Sequence, residues 1–286
     1  MQRLANQLPA HLYLWDNRVL YAGPALDARY RCYGSATLLI APEGELRLHR
    51  QLHADESLIC RCCVVRPGAP VFLASGGPSL LALFLDPFLH DLRALADSAR
   101  QETRGILWSL DGEHQMIAFA RQVLARHPAC RVVQSELAGL GLPDRARLDP
   151  EKVDARVVRA VGMIRSARTR NITTEDLAAE VNLSVPRVIQ LFRQYLGVSA
   201  GKYRQWHRLH ATTLAIARGH TFTQASVASG FSDLAHFSNT FHSMMGIMPS
   251  RLLRSGGGVH FHIDRELASH GFSSLSGINS ATSPMC

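Results

Sequence analysis

One pattern occurs twice between Ile172 and Leu253, and it limits what this chain can fold into more than any other feature. The first copy runs from Ile172 to Tyr203 and the second from Thr221 to Leu252. Setting Ser184 against Ser232 also pairs Leu183 with Phe231 and Ala178 with Ser226; beyond one extra residue in the second copy, Phe192 meets Phe241 and Gly197 meets Gly246. A self-similar stretch of this length implies one supersecondary unit built twice.

The unit can be read from its side chains. Thr174 is a candidate N-cap, and Glu175 and Asp176 place negative charge at the positive end of a helix. Leu177, Ala178 and Val181 supply a short apolar stripe. Asn182–Leu183 makes a turn, since asparagine tolerates the left-handed conformation. Ser184 starts a second helix whose inner face is Val188, Leu191, Phe192 and Tyr195, and Gly197 stops it. In the second copy Gly230–Phe231 is the turn, Ser232 the cap, Phe237, Thr240, Phe241 and Met244 the inner face, and Gly246 the stop. Two short helices around a tight turn form a helix-turn-helix, whose second helix can enter a major groove. Ala200 to Arg218 lacks proline and reads as one connecting helix ending at Gly219. At ~1.5 Å per residue it spans about 27 Å, which suits two reading helices about 34 Å apart, one turn of duplex.

Charge points the same way. Glu151–Arg254 holds 14 lysines and arginines against 6 acids, a net of +8, while the remainder carries 17 of each and is neutral. The whole basic excess lies in the repeat-bearing segment, as expected of a phosphate binder.

Arg156–Arg254 resembles the DNA-binding domain of AraC/XylS-type bacterial transcription regulators. The resemblance is carried by Gly230, Phe231, Ser232, Asp233, Phe237, Ser238, Phe241, Gly246 and Pro249 in the second copy. Leu177, Ala178, Leu183, Ser184, Leu191, Phe192 and Gly197 carry it in the first, and Ala211 and Leu214 in the connecting helix. Outward positions on the first recognition helix are Pro186, Arg187, Ile189, Gln190 and Arg193, after Ser184 at its cap, and the resemblance implies that Pro186, Ile189 and Gln190 face the groove. On the second, after Ser232, Leu234, Ala235, His236, Ser238 and Asn239 face out. Gln190 suits adenine and Ile189 a thymine methyl, while Arg187 and Arg193 suit guanine or phosphates, phosphates being favoured. Family members usually carry Arg and Lys at the places of Asn239 and His242, so this chain lacks two charges there.

The first half is strand-like. HLYLW, ATLLIA, ELRLHRQL, LICRCCVV and SLLALFLD are separated by turn signals at Asp16–Asn17, Pro42–Glu43–Gly44, Arg66–Pro67–Gly68 and Gly76–Gly77–Pro78, which suggests a small barrel or sandwich. The family resemblance implies a cupin-like barrel that binds an effector or supports dimerisation, and Val64–Phe72 and Leu83–Pro87 are similar to such a sensor. His49 and His53 are not followed by the histidine and glutamate pattern of a metal-binding cupin, and RYRCY stands at Arg29–Tyr33, so the pocket is read as metal-free. Among the six cysteines only Cys60, Cys62 and Cys63 cluster. Three readings stay open for them: core packing, a thiol sensor with Arg61 lowering a thiolate pKa, and a zinc site lacking its second pair.

The expected architecture is therefore α+β. Residues 1–147 form a cupin-like sensor or dimerisation domain, with the barrel at about 11–87 and helices at about 88–136. Met116, Ile117, Ala120, Val123 and Leu124 make a stripe, after a cap at Asp111, that serves either dimerisation or packing on the barrel. Residues 151–254 form an all-α domain with helix-turn-helix units at about 174–196 and 223–245, and 255–286 a poorly ordered tail in which His260 and His262 have no assigned role. The chain has no apolar run of membrane-spanning length, and a cytoplasmic location is expected.

The reading is a non-enzymatic, sequence-specific regulator, an effector-responsive activator that takes double-stranded DNA, a small molecule, RNA polymerase and a second copy of itself as partners, with no cofactor. The alternatives are control by thiol oxidation or by a protein partner, and, more remotely, a metal-dependent cupin enzyme carrying a DNA-targeting module.

Overall fold

A computed structural model describes residues 9–49, 57–143, 153–166, 172–245, 248–249 and 258–264. Gly246, the expected stop of the second unit, and His53 lie outside the described residues, as do most of 255–286.

The amino-terminal half is built on two sheets. From edge to edge the larger holds Ala99–Thr103 (β10), Ile106–Leu110 (β11), Cys62–Val65 (β7), Ala36–Ile40 (β4), Ser79–Leu85 (β9), Arg18–Pro24 (β2), Ala10–Leu14 (β1) and Val259–Ile263 (β12), and the smaller Arg29–Cys32 (β3), Pro70–Ser75 (β8), Leu46–His49 (β5) and Leu58–Cys60 (β6). Strands β4, β7 and β9 are buried along their whole length, which explains why ATLLI, CCVV and SLLALFL are apolar runs rather than alternations. The period of two still sorts their side chains. Leu39, Cys63, Val65, Ala82 and Phe84 face the interior between the sheets. Leu38, Ile40, Cys62, Val64, Leu81 and Leu83 face a helical layer on the other side.

That layer is α1 (Asp91–Ser98), α2 (Glu113–Arg126) and α3 (Cys130–Gly139). Met116, Ile117, Ala120 and Val123 of α2 are buried against the chain's own sheet. Of the two uses expected for this stripe, packing on the barrel is the one observed. The helix begins after Gly112 in a left-handed conformation, not at a cap made by Asp111. Nor is 88–136 all helical: β10 (Ala99–Thr103) and β11 (Ile106–Leu110) form a hairpin there, turned by Arg104 and Gly105, both at positive φ. Buried Arg18 holds buried Asp91 through two bonds of 2.9 and 2.6 Å, and it also donates to the carbonyls of Leu142 and Pro143. The end of the helical layer is thereby pinned to β2.

The carboxyl-terminal half contains α4 (Ala155–Ser166), α5 (Thr174–Glu180), α6 (Val185–Leu196), α7 (Ala200–Ala217), α8 (Phe222–Ala228) and α9 (Leu234–Met245). Each repeat opens on a capping box, Thr173 with Asp176 and Thr221 with Gln224; the first cap is thus Thr173, one residue before the one expected. The two turns use the same device, a positive φ of 52° at Asn182 and 82° at Gly230. Tyr195, expected inside, is exposed, and Leu196 takes the buried place on α6.

A strand closes the architecture. Val259–Ile263 forms β12, parallel to β1, with Ala10 opposite Val259 and Leu14 opposite Ile263. The expectation of a tail without regular structure is therefore corrected for these five residues. Val259, Phe261 and Ile263 pack on the shared core, and this alternation outweighs the surrounding serine and glycine.

Candidate nucleic-acid interface

The first reading helix, α6, hides one face and shows the other. Val188, Leu191, Phe192 and Leu196 are buried, while Ser184, Pro186, Arg187, Gln190 and Arg193 are exposed and Ile189 is half-buried. Ser184 stands at the N-cap in extended backbone and makes no side-chain cap bond. The Arg187 Nη1 donates to Gln190 Oε1 at 2.7 Å, so these two candidates act as one unit, with the amide oriented by the guanidinium.

The second reading helix, α9, buries Phe237, Phe241, Met244 and Met245. Ser232, Leu234, Ala235, His236 and Asn239 are exposed and Ser238 is half-buried. Its start is capped by Asp233 rather than Ser232: Asp233 Oδ1 accepts from the His236 N–H at 2.7 Å, while the Ser232 hydroxyl donates to Asp233 Oδ2 at 3.0 Å. These two donors hold the Asp233 carboxyl below its ordinary value. Negative charge beside the helix start suits the macrodipole.

What the sequence reading missed is the seat of both helices. α7 buries 12 of its 18 residues, and a helix covered on nearly every side is a core element rather than a spacer. Its Trp206 packs at 5.9 Å from Phe84 of β9. Tyr203 donates to both carboxylate oxygens of Asp86 at 3.0 Å, and His207 Nε2 stands 3.5 Å from Oδ2. The Phe88 N–H donates to Asp86 as well, and Arg165 of α4 lies at 4.0 Å. Burial pushes the Asp86 carboxyl up, but His207, Arg165 and the Phe88 amide outweigh it, and the net shift is downward.

Further contacts reach both units. His210 Nε2 lies 2.6 Å from the Trp15 carbonyl. A Cβ on Gly68, whose φ is +77°, would stand 2.7 Å from the Gly197 carbonyl at the end of α6. A Cβ on Gly34 would meet Met244 of α9 at 2.5 Å. Arg29 of β3 contacts His242 of α9 directly, which gives a local use to a position where family members carry a cation. Barrel interior, α7 and the second unit share one apolar core that includes Leu12, Tyr33, Phe84, Trp206, Phe231 and Phe241.

Residues 177–255 match the family model described as Helix-turn-helix domain. That segment is a DNA-binding helix-turn-helix domain of the AraC type. The fold of the whole chain is similar to that of ToxT from Vibrio cholerae. An apo ToxT variant is aligned over 84% of this chain and 97% of its own at 14% identity, with a TM-score of 0.53. ToxT with an unsaturated fatty acid bound is aligned over 84% and 95% at 16% identity, also at 0.53. A third structure, ToxT bound to a naphthalenyl butenoic acid, is aligned over 81% and 96% at 16%, with a TM-score of 0.51. Comparison with curated proteins returns no match.

Two rival readings of the amino-terminal half meet the same structure. Among the described residues no group of three or more His, Cys, Asp or Glu side chains is arranged to hold a metal ion. For the thiol reading, Cys62 and Cys63 are fully buried. Burial, with Glu113 and Cys60 nearby, pushes the Cys62 thiol far up, and a bond to Cys60 together with burial does the same to Cys63. Arg61 opposes this only weakly on Cys62, and its guanidinium is engaged by the Pro42 carbonyl at 2.7 Å. Thiols kept protonated are poor nucleophiles. Among the described residues no helix is long and apolar enough to cross a membrane.

Proposed function

We propose that this chain is a non-enzymatic, effector-responsive transcription activator that reads two successive major grooves and answers to a small carboxylic acid with an apolar body. The observation that carries the reading is Arg31 of β3. It is 2% exposed; its guanidinium donates to the backbone carbonyls of Arg29, Leu73 and Asp27, and the Asp27 carboxylate also acts on it. Its Nε, together with Arg29 Nε and the Tyr33 hydroxyl, is buried without a hydrogen-bond partner. Burial outweighs these contacts and lowers the Arg31 pKa, so the cation is incompletely compensated, and a ligand carboxylate supplies further charge and acceptors.

The ligands bound by ToxT in two of its structures are both carboxylic acids with long apolar parts, which is the chemistry such a site accepts. Arg31 shares its strand with Arg29, the residue touching His242 on α9. A ligand drawn to this strand therefore acts on the seat of the second reading helix. It shifts the balance of arrangements in proportion to its unequal affinity for them. RNA polymerase and a second copy of the chain complete the proposed partners.

The test is calorimetric titration of the full chain with a monounsaturated fatty acid, followed by DNA-binding anisotropy with and without it. Binding is expected to weaken at least tenfold in Arg31→Met while DNA affinity without ligand is retained. Equal binding by Arg31→Met and the parent would overturn the ligand reading without touching the DNA reading. For the latter, Gln190→Ala is expected to relax the preference at one base pair at a cost of about 1–3 kcal/mol. Selection of bound sequences from a random pool checks it, and an unchanged preference at every position would remove Gln190 from the reading surface.

A further inference from the structure

Four histidines from three separate stretches of chain meet where β12 lies on β1. His11 comes from β1, His260 and His262 from β12, and His127 from the left-handed end of α2. The His11 ring is stacked on His127 at a centroid distance of 3.6 Å and an interplanar angle of 5°. It lies 4.9 Å from the His260 ring and 5.3 Å from His262, and its Nδ1 is 3.0 Å from His262 Nε2. His11 is 5% exposed, and its Nε2 is buried without a partner. Among the described residues no three such side chains are arranged to hold a metal ion, and the close imidazoles are read as a proton-binding group.

The other groups around the cluster do little to neutralise a positive charge. Tyr13 of β1 stacks on His262 at 4.2 Å, and Cys130 of α3 donates to the His262 carbonyl at 3.6 Å. Burial keeps both protonated by pushing their pKa values up. The Asp264 carboxylate, just past β12, acts on Cys130.

We propose that this cluster is a proton-sensitive clasp: β12 straps the end of the DNA-binding half to the barrel while the imidazoles are neutral, and lets go as they take up protons. The strap holds by two means. Its backbone pairs with β1 from the Gly258 carbonyl to the Asp264 N–H, and Val259, Phe261 and Ile263 cover the core that joins barrel and α7. Against this, charged imidazoles at ring-contact distance repel one another in a site that water only partly reaches.

The sign follows from where the protons bind. With the strap docked the His11 pKa stands at about 4 against 6.5 for a free imidazole, through burial first and then the charges of His127, His262 and His260, and His262 is lowered as well; β12 supplies His260, His262 and a share of the burial. The released strap therefore binds more protons than the docked one. Docking is at full strength above pH 6.5 and weakens progressively as pH falls toward about 4. Relief of the whole His11 shift would make docking about tenfold weaker at about pH 5.5 than at about pH 7.5, which is the upper bound on its contribution.

Hydrogen exchange of the full chain, corrected for the intrinsic pH dependence of amide exchange, tests the clasp. Protection of residues 258–264 is expected to fall severalfold between those two pH values, with protection of β7 unchanged. His11→Phe, which keeps an aromatic ring but no titration, is expected to lose most of this response. His49→Gln, on the other sheet, is expected to keep it. Constant protection in the parent, or an undiminished response in His11→Phe, would overturn the proposal. His260→Gln, at an exposed position, carries the same test where His11→Phe lowers overall stability: a smaller response is expected, and an unchanged one counts against the clasp.

Discussion

Asp86→Ala is expected to destabilise the protein by about 3–5 kcal/mol, because it removes one member of a buried charged cluster and strands the others. Asp86 is wholly buried and serves Tyr203, His207, the Phe88 amide and Arg165 at once. Losing the carboxylate removes the acceptor of the Tyr203 hydroxyl and the negative charge facing His207 and Arg165 in a buried interface. Asp86→Asn keeps an oxygen for Tyr203 but loses the charge facing His207 and Arg165, so its cost should be smaller than that of alanine. The pH dependence is specific as well. Because the native Asp86 carboxyl lies below its ordinary value of 3.8, its contribution is present above that pH and lost as pH falls through the lower native value. Urea unfolding at neutral pH and at about pH 3 separates the two terms: the alanine variant and the parent should converge on acidification. A neutral-pH difference under about 1 kcal/mol would show that Asp86 is a passive contact.

The two helix-turn-helix units were legible in the sequence because every local rule agrees there. Asn182 and Gly230 occupy equivalent left-handed turns, and Leu191, Phe192, Phe237 and Phe241 recur at helical spacing. The caps were misplaced by one residue, at Thr173 and Asp233. In both places two capping residues stand side by side, and only the hydrogen bonds decide between them. The hairpin of β10 and β11 was missed for a different reason. Arg-Gly is a weaker hairpin signal than Asn-Gly, and β10, exposed along most of its length, carries no apolar alternation.

Long-range pairing was the least legible. β12 joins β1 across some 250 residues of sequence, and no window of local pattern reports a partner so far away. Its Val-His-Phe-His-Ile alternation was nonetheless present, and it marks the strand once the period of two is given more weight than the flanking composition. Similarly, the candidate reading residues could be chosen from helical faces, but the attachment of those helices to the barrel could not. Trp206, Tyr203 and His207 read locally as one side of a helix; only the sheet they meet shows that α7 is an interface on most of its circumference.

Trp206 gives the second large expectation. It is 2% exposed, lies against Phe84 and the backbone at Gly34, and belongs to the core that runs from Leu12 through Leu209 to Phe237 and Phe241. Trp206→Ala is expected to cost about 3–5 kcal/mol, the transfer of the indole plus the cavity it leaves. The rigid backbone on both sides, β9 on one and α7 on the other, limits collapse into that space. The cavity would fall at the junction between the halves rather than inside either. A shared core makes barrel and DNA-binding half unfold together, so removing its central ring should also uncouple them. Urea unfolding followed by far-UV circular dichroism and by tyrosine fluorescence is expected to give one coincident transition for the parent and two for the variant. A single coincident transition in Trp206→Ala, with the expected loss of stability, would mean that the Asp86 cluster alone is enough to bind the halves. The double variant with Asp86→Asn then decides the matter, since two independent links predict additive losses and one cooperative interface does not.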